Sequence, residues 1–304
     1  MTDLTYAERA ALDVLPLHLA DFAIKAAAHN RVRIHEIRLR RGAGLSITSR
    51  GISYACPIRC TEEDIDTVLR RLCGNSLYSH ADTIREGYIA YLSGIRAGVC
   101  GRAVCRGGEI DAVTDITSVN IRIPHRVRGA GDCAFELLER NAFRTGLLVY
   151  SPPGVGKTTL LRELTFRLGA GDVPRRVAVV DTRCEIMAGL EGAANVDVLS
   201  SYPRGRGIEI AVRTLSPEFI VCDEISSDSD VEAVMSAVGS GVCIIASAHG
   251  ASYGELMQRD GFCLLREKRA FGIWLGLLER ERAGYRTEVS FIDSVPERAE
   301  ETGV

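Results

Sequence analysis

The residues best suited to chemistry lie in Ser151-Pro152-Pro153-Gly154-Val155-Gly156-Lys157-Thr158-Thr159, between the apolar run Leu147 to Tyr150 and a helical pattern that begins near Lys157. Gly154 and Gly156 carry no side chain, so the loop can curl and turn successive backbone N–H groups inward, and the following helix adds its positive end. A triphosphate fits such a concavity. Lys157 would reach its β- and γ-phosphates, and the Thr158 hydroxyl would hold the bridging Mg2+. The spacing matches G-x-x-x-x-G-K-[ST] with one departure, Ser151 at the position of the first Gly. Ser is sterically tolerable there if its backbone stays out of the regions open only to Gly, so altered loop geometry rather than lost binding is the expectation.

Three further apolar runs end in polar residues that could serve the same nucleotide. Phe219 to Cys222 ends in Asp223-Glu224. Asp223 can hold Mg2+ through water while Glu224 orients or deprotonates the attacking water. Val177 to Val180 ends in Asp181-Thr182-Arg183-Cys184-Glu185. Both Asp181 and Glu185 could reach the site, or Asp181 could simply cap the turn that follows. Cys243 to Ala248 ends in His249, which could donate a hydrogen bond to the γ-phosphate or be an ordinary loop residue. The expected catalytic set is Lys157, Glu185, Glu224 and His249, with Thr158 and Asp223 on the metal. An arginine at the γ-phosphate would complete it; Arg213, Arg102, Arg122, Arg204 and Arg206 are candidates among which the sequence does not choose.

Positioning these residues requires an α/β fold. After residue 144, strand patterns at Arg176 to Asp181, Glu218 to Asp223 and Val242 to Ala246 alternate with helical ones at Gly207 to Leu215 and Asp228 to Val238. Such alternation predicts a mostly parallel sheet with right-handed crossovers, whose strand carboxyl ends face the ligand crevice. Phe262 to Asp293 reads as further strands joined at Arg282-Ala283-Gly284. Residues 1–124 read as a smaller mixed α+β domain: one or two helices over residues 7–29, a hairpin from Ile34 to Thr48 with one wet face, a Thr61-capped helix running to Gly74, and short strands punctuated by Gly94, Gly98, Gly101 and Gly107-Gly108. Residues 125–143 form the linker and a short helix from Cys133 to Asn141, leaving 144–304 as the nucleotide-binding domain.

Two domains also suit a chain of 304 residues. Lys plus Arg number 37 against 40 for Asp plus Glu, a net charge of −3, which argues against nucleic acid as the main partner. The charged N-terminus lacks a signal-peptide core, and no apolar run approaches the roughly 18 residues of a membrane span. A cytoplasmic protein, peripheral to any membrane, is expected. The 10 cysteines lack paired metal-ligand spacing and are expected as reduced thiols.

With these pieces placed, the chain resembles the RecA-like ATPases of secretion systems and pilus motors, and closely the stage III sporulation protein AA family. The resemblance spans nearly the whole chain. It rests on Glu36-Ile37-Arg38-Leu39-Arg40, Glu86-Gly87-Tyr88-Ile89, Ser118 to Pro124, Ser151 to Arg162, Val180 to Ile186, Val221 to Ile225 and Ala246 to Gly250. It implies a RecA-like P-loop NTPase core using ATP and Mg2+, with Asp181 to Glu185 and His249 facing the nucleotide. It also implies a homo-oligomer, a hexameric ring, working with membrane proteins of a sporulation transport complex between mother cell and forespore. Asp223-Glu224 stands where such motors commonly have Gly-Glu, which leaves open whether Glu185 or Glu224 is the catalytic base. Two other readings remain: a nucleic-acid-linked loader or helicase-like ATPase, suggested by the Arg-rich segments Arg31 to Arg41 and Arg122 to Arg128, and a nucleotide-binding switch with little turnover, should Ser151 spoil the loop.

Overall fold

The computed structural model describes residues 4–281 and 284–291, and the chain divides into the compact units Met1–His125 and Arg126–Val304. The first unit runs α1 (Tyr6–Asp13), α2 (Leu17–Asn30), β1 (Glu36–Arg40), β2 (Gly44–Ser49), β3 (Ile52–Arg59), α3 (Glu62–Leu72), α4 (Ala81–Arg85), β4 (Tyr88–Tyr91), β5 (Ile95–Arg106) and β6 (Glu109–Arg122). Its sheet has the order β3-β2-β1-β6-β5-β4, with every pair antiparallel. The Thr61 hydroxyl accepts from the Asp64 N–H and the Asp64 carboxylate accepts from the Thr61 N–H, a reciprocal cap that starts α3. Ile65, Val68, Leu69 and Leu72 then share its buried face. In β1 the residues alternate, Ile37 and Leu39 in the core and Arg38 and Arg40 outside. The arginines of this region face carboxylates: Arg33 lies 3.4 Å from Glu8, Arg38 2.8 Å from Glu36 and Arg41 2.9 Å from Asp115.

The run expected as short strands is a long hairpin, β5 and β6, turning at Gly107-Gly108. Gly101 does not interrupt it. A Cβ there would come 2.6 Å from the Thr114 carbonyl oxygen across the hairpin, so this glycine permits close strand approach at a bulge between Cys100 and Arg102.

The second unit runs α5 (Asp132–Arg140), β7 (Leu147–Ser151), α6 (Lys157–Ala170), β8 (Val177–Asp181), β9 (Val196–Ser200), α7 (Arg204–Thr214), β10 (Phe219–Glu224), α8 (Asp228–Gly239), β11 (Cys243–His249), α9 (Tyr253–Leu256), α10 (Asp260–Glu267), β12 (Ile273–Glu281) and β13 (Gly284–Phe291). The sheet order is β13-β12-β7-β11-β10-β8-β9. All its neighbours are parallel except the β12–β13 pair. Both faces are covered, so alternate residues of one strand enter different cores. Ile220 and Cys222 pack with Ile208 of α7 and Val234 of α8, whereas Phe219 and Val221 pack with Leu160 and Leu164 of α6. That two-sided burial explains why these strands read as continuous apolar runs.

Three readings of this unit need correction. Residues 262–267, expected as strand, belong to α10, where Phe262 and Leu265 are buried at helical spacing. α7 starts at Arg204, three residues ahead of Gly207. β9, a half-exposed edge strand, was not anticipated. Of the expected turn at Arg282-Ala283-Gly284, the first two residues lie outside the described ones.

The largest fully buried side chain is Trp274 of β12. Phe262, Phe271 and Tyr253 meet it edge-on at 6.4, 5.9 and 5.5 Å between ring centroids, and its indole N–H donates to the Phe271 carbonyl at 3.0 Å. Replacing it leaves a cavity between sheet and helices, so Trp274→Ala is expected to cost about 3–5 kcal/mol of stability. Denaturant unfolding followed by far-UV circular dichroism checks this, since the variant removes the chain's 1 Trp. An unchanged midpoint would contradict the packing described.

Candidate functional site

β7 ends at Ser151 and α6 begins at Lys157, so the intervening residues make the whole strand-to-helix turn. Gly154 (φ 82°) and Gly156 (φ 128°) adopt conformations that suit glycine. A Cβ on Gly156 would lie 2.7 Å from the Tyr285 hydroxyl oxygen of β13, and that hydroxyl donates to the Gly156 carbonyl at 3.3 Å. Ser151 sits within β7, in register with His249 of β11 and away from positive φ. Its substitution for the usual glycine therefore introduces no backbone strain. The Ser151 hydroxyl donates to the Pro152 carbonyl at 2.7 Å. Lys157 is buried; its ammonium donates to the carbonyls of Ser151 at 2.9 Å and Pro152 at 3.3 Å, and to the Ser151 hydroxyl at 3.2 Å.

A cavity of about 240 Å3 opens beside this turn. Pro153, Gly154, Gly156, Lys157 and Thr158 line it, together with Glu185, Asp223, Glu224 and His249. Ser151, Pro152, Val155 and Thr159 do not line it, and the first two act on it through the lysine they hold. Two more lining residues, Arg183 and Ser247, were not singled out from the sequence. Arg183 stands between two acids that were, and Ser247 lies two residues before His249 on the same face of β11.

The polar groups of the cavity form a connected chain. Lys157 Nζ lies 3.1 Å from Nδ1 of His249. An ammonium can only donate, so Nδ1 accepts and the imidazole proton sits on Nε2, which donates to Glu224 at 2.9 Å. Arg183 approaches the same carboxylate at 3.8 Å. Burial lowers the Lys157 pKa below the usual lysine value, and the Glu224 charge opposes that shift.

Asp223 is held differently. Arg204, the first residue of α7, donates to its Oδ1 from Nε at 2.8 Å and from Nη2 at 2.6 Å, and from Nη1 to Asp230 of α8 at 2.7 Å. The other carboxylate oxygen of Asp223, Oδ2, is buried with no hydrogen-bond partner among the described residues. Burial pushes the Asp223 pKa above the ordinary carboxylate value, and Arg204 works against that rise. The β10 strand shifts register by a bulge between Val221 and Glu224, and both of its terminal acids line the cavity. Main-chain N–H groups of a glycine turn, a lysine, a threonine hydroxyl and a carboxylate oxygen without a partner form a donor set that fits a magnesium-bound triphosphate.

The two acids near the end of β8 separate. Asp181 is fully buried and accepts the backbone N–H groups of Glu185, Ile186 and Met187 at 2.8, 2.7 and 2.8 Å. It caps the turn, the second of the two roles open to it, while Glu185 lines the cavity. The candidate arginines separate as well. Arg102 lies 3.7 Å from Asp115 and Arg122 4.0 Å from Glu36, both in the first unit; Arg206 pairs with Glu209 at 2.6 Å. Arg213 is exposed in the last turn of α7. Among these five, Arg204 touches a cavity residue, and it does so from within the chain.

A family model described as "Sporulation stage III, protein AA" matches residues 12–290. "Stage III sporulation protein AA" of Bacillus subtilis (strain 168) is 31% identical over 286 residues, covering 91% of this chain and 93% of its own length. Among solved structures, the Legionella pneumophila ATPase DotB is similar with a TM-score of 0.59 at 14% identity, over 84% of this chain and 75% of that one. The pilus retraction motor PilT with bound ADP gives a TM-score of 0.59 at 17% identity, over 89% and 82%. These likenesses show that the chain shares their RecA-like α/β fold.

The division of labour at the end of β8 has a measurable consequence. Asp181→Ala strands three N–H donors, that of Ile186 buried and those of Glu185 and Met187 partly so, and should lower stability by about 2–4 kcal/mol. Glu185→Gln, at the cavity wall, should change stability by less than about 1 kcal/mol. Thermal or denaturant unfolding of the two variants checks the contrast; equal losses would contradict it.

Proposed function

The chain belongs to the sporulation stage III protein AA family, and from that premise we propose that it is an ATP-hydrolysing motor of a membrane-associated transport complex between mother cell and forespore. The supporting observation is the convergence of Lys157, Asp223, Glu224 and His249 on a single cavity against a glycine turn. In this reading the main-chain N–H groups from Gly154 to Thr158, the first turn of α6 and Lys157 bind the phosphates of ATP. Thr158 and Asp223 would hold Mg2+, which would supply positive charge to neutralise the phosphates.

Glu224 is the base that takes a proton from the attacking water. Its carboxylate already accepts from His249, whose other nitrogen meets Lys157, so it is oriented by groups that themselves contact the phosphate site. Glu185, on the same wall, orients the water. His249 links the γ-phosphate end to Glu224 and registers loss of that phosphate.

Among the described residues no helix is long and apolar enough to cross a membrane. The proposal accordingly places the protein in the cytoplasm, reaching the membrane through partner proteins, and working as a ring of six copies. The relatives that share its fold include a pilus retraction motor solved with ADP, and the Bacillus relative's name ties the family to sporulation.

Lys157→Ala should lower ATP hydrolysis by more than about 100-fold while leaving circular dichroism unchanged. Glu224→Gln should retain nucleotide binding and lose turnover by about 100-fold or more, and Glu185→Gln should lose clearly less. Phosphate-release assays read all three, and wild-type rates in Lys157→Ala would refute the ATPase assignment. Sizing Glu224→Gln with ATP should show a ring; a monomer under those conditions would remove the ring from the proposal.

A further inference from the structure

Arg204 occupies a place that helix formation does not explain. As the first residue of α7 it puts a cation at the positive end of the helix dipole, where an acid or a small cap is favoured. α7 nevertheless brings it close: a Cβ on Gly207 would lie 2.5 Å from Val180 of β8, so the glycine lets the first turn press against the sheet. The guanidinium is nine-tenths buried and meets two buried carboxylates.

The geometry of that contact is specific. A guanidinium facing a carboxylate usually sends one N–H to each oxygen. Here Nε and Nη2 both converge on Oδ1 of Asp223, at 2.8 and 2.6 Å, and Nη1 is spent on Asp230 at 2.7 Å. Asp230 is itself fixed, accepting the N–H groups of Ser226 and Ser227 at 3.1 Å each at the start of α8. The carboxylate of Asp223 is thereby clamped by one oxygen, and Oδ2 is left buried without a hydrogen-bond partner among the described residues. Two carboxylates share one guanidinium, so the buried trio carries a net negative charge that a cation at Oδ2 would balance.

We propose that Arg204 is a positioning residue for the metal: it saturates one oxygen of Asp223 and, anchored by Asp230, presents the other to Mg2+ or to a water of its shell. This rests on the nucleotide-binding reading above, and adds to it that an arginine named as a candidate for the γ-phosphate instead serves the metal through Asp223. Arg204 touches neither phosphate nor attacking water.

The test is a nucleotide-binding titration with a fluorescent ATP analogue, in Mg2+ and in EDTA, on wild type, Arg204→Gln, Arg204→Lys and Asp230→Asn, with folding followed by circular dichroism. For Arg204→Gln the Mg2+ concentration giving half-maximal enhancement of binding should rise about tenfold or more, while affinity in EDTA stays within about twofold. Arg204→Lys, which keeps the charge but not the planar fork of donors, should recover part of the Mg2+ response. Should Arg204→Gln fail to fold, Asp230→Asn, which loosens the anchor alone, should still raise the Mg2+ requirement by several-fold. An unchanged Mg2+ requirement in folded variants, or an equal fall of affinity in Mg2+ and EDTA, would overturn the positioning role alone. A wild-type protein that binds the analogue in neither condition would overturn the nucleotide reading and this inference with it.

Discussion

A parallel sheet releases all its strands at one edge, and the site depends on that single constraint. β7, β11, β10 and β8 are neighbours and run the same way, so Ser151, His249, Glu224 and Asp181 fall at one end of the sheet although up to 98 positions separate them in sequence. Register does the finer work. Ser151 lies beside His249, which places the lysine-holding carbonyl next to the imidazole that the lysine also meets. One antiparallel strand among these would send its tip to the far edge and dissolve the cavity. The helices are tied to the same requirement, since crossovers between parallel strands must pass over a face, and each face is therefore buried.

Much of this was readable from the sequence because the physics was local. Gly154 and Gly156 signalled a turn needing positive φ, and the apolar runs ahead of Ser151, Asp181, Asp223 and His249 signalled strands buried on both faces. What was not readable depended on tertiary approach. The acceptance of three N–H groups by Asp181 comes from a turn whose path periodicity does not describe. α10 was misread because a short apolar stretch reads alike as strand or buried helix, and Gly101 because its role is set by the opposite strand of its hairpin. Arg204 is the sharpest case: its partners Asp223 and Asp230 lie 19 and 26 residues away, and nothing in its own neighbourhood distinguishes it from Arg206 two residues on, which faces outward to Glu209.

The same polar groups are arranged so that little charge is left to chance. Burial works against ionisation at both Lys157 and Asp223; the charge of a nearby carboxylate opposes the first shift and a guanidinium the second. The partners differ in kind. Lys157 is held by carbonyls, a hydroxyl and a neutral imidazole, neutral acceptors that a phosphate oxygen can outcompete because a charged acceptor makes the stronger bond. Asp223 is held by a buried arginine that is in turn gripped by a helix cap, an arrangement costly to break.

That asymmetry matches what the roles proposed for Lys157 on a phosphate and for Asp223 on a metal would each require. In that reading the lysine would move its donors onto an incoming ligand, and weak neutral partners keep it aimed without committing it. The carboxylate must not move, because a metal is recognised by the fixed placement of its oxygens. Glu224 falls between the two: hydrogen-bonded by His249 at 2.9 Å, approached by Arg183 only at 3.8 Å, it is oriented yet keeps lone pairs for a water. In the proposed role as base, Glu224 needs that intermediate hold, oriented by its neighbours with an oxygen left open to a water. The ordering from loosely held lysine through half-held glutamate to clamped aspartate is thus set by the neighbours each strand tip meets, and those neighbours follow from the strand order.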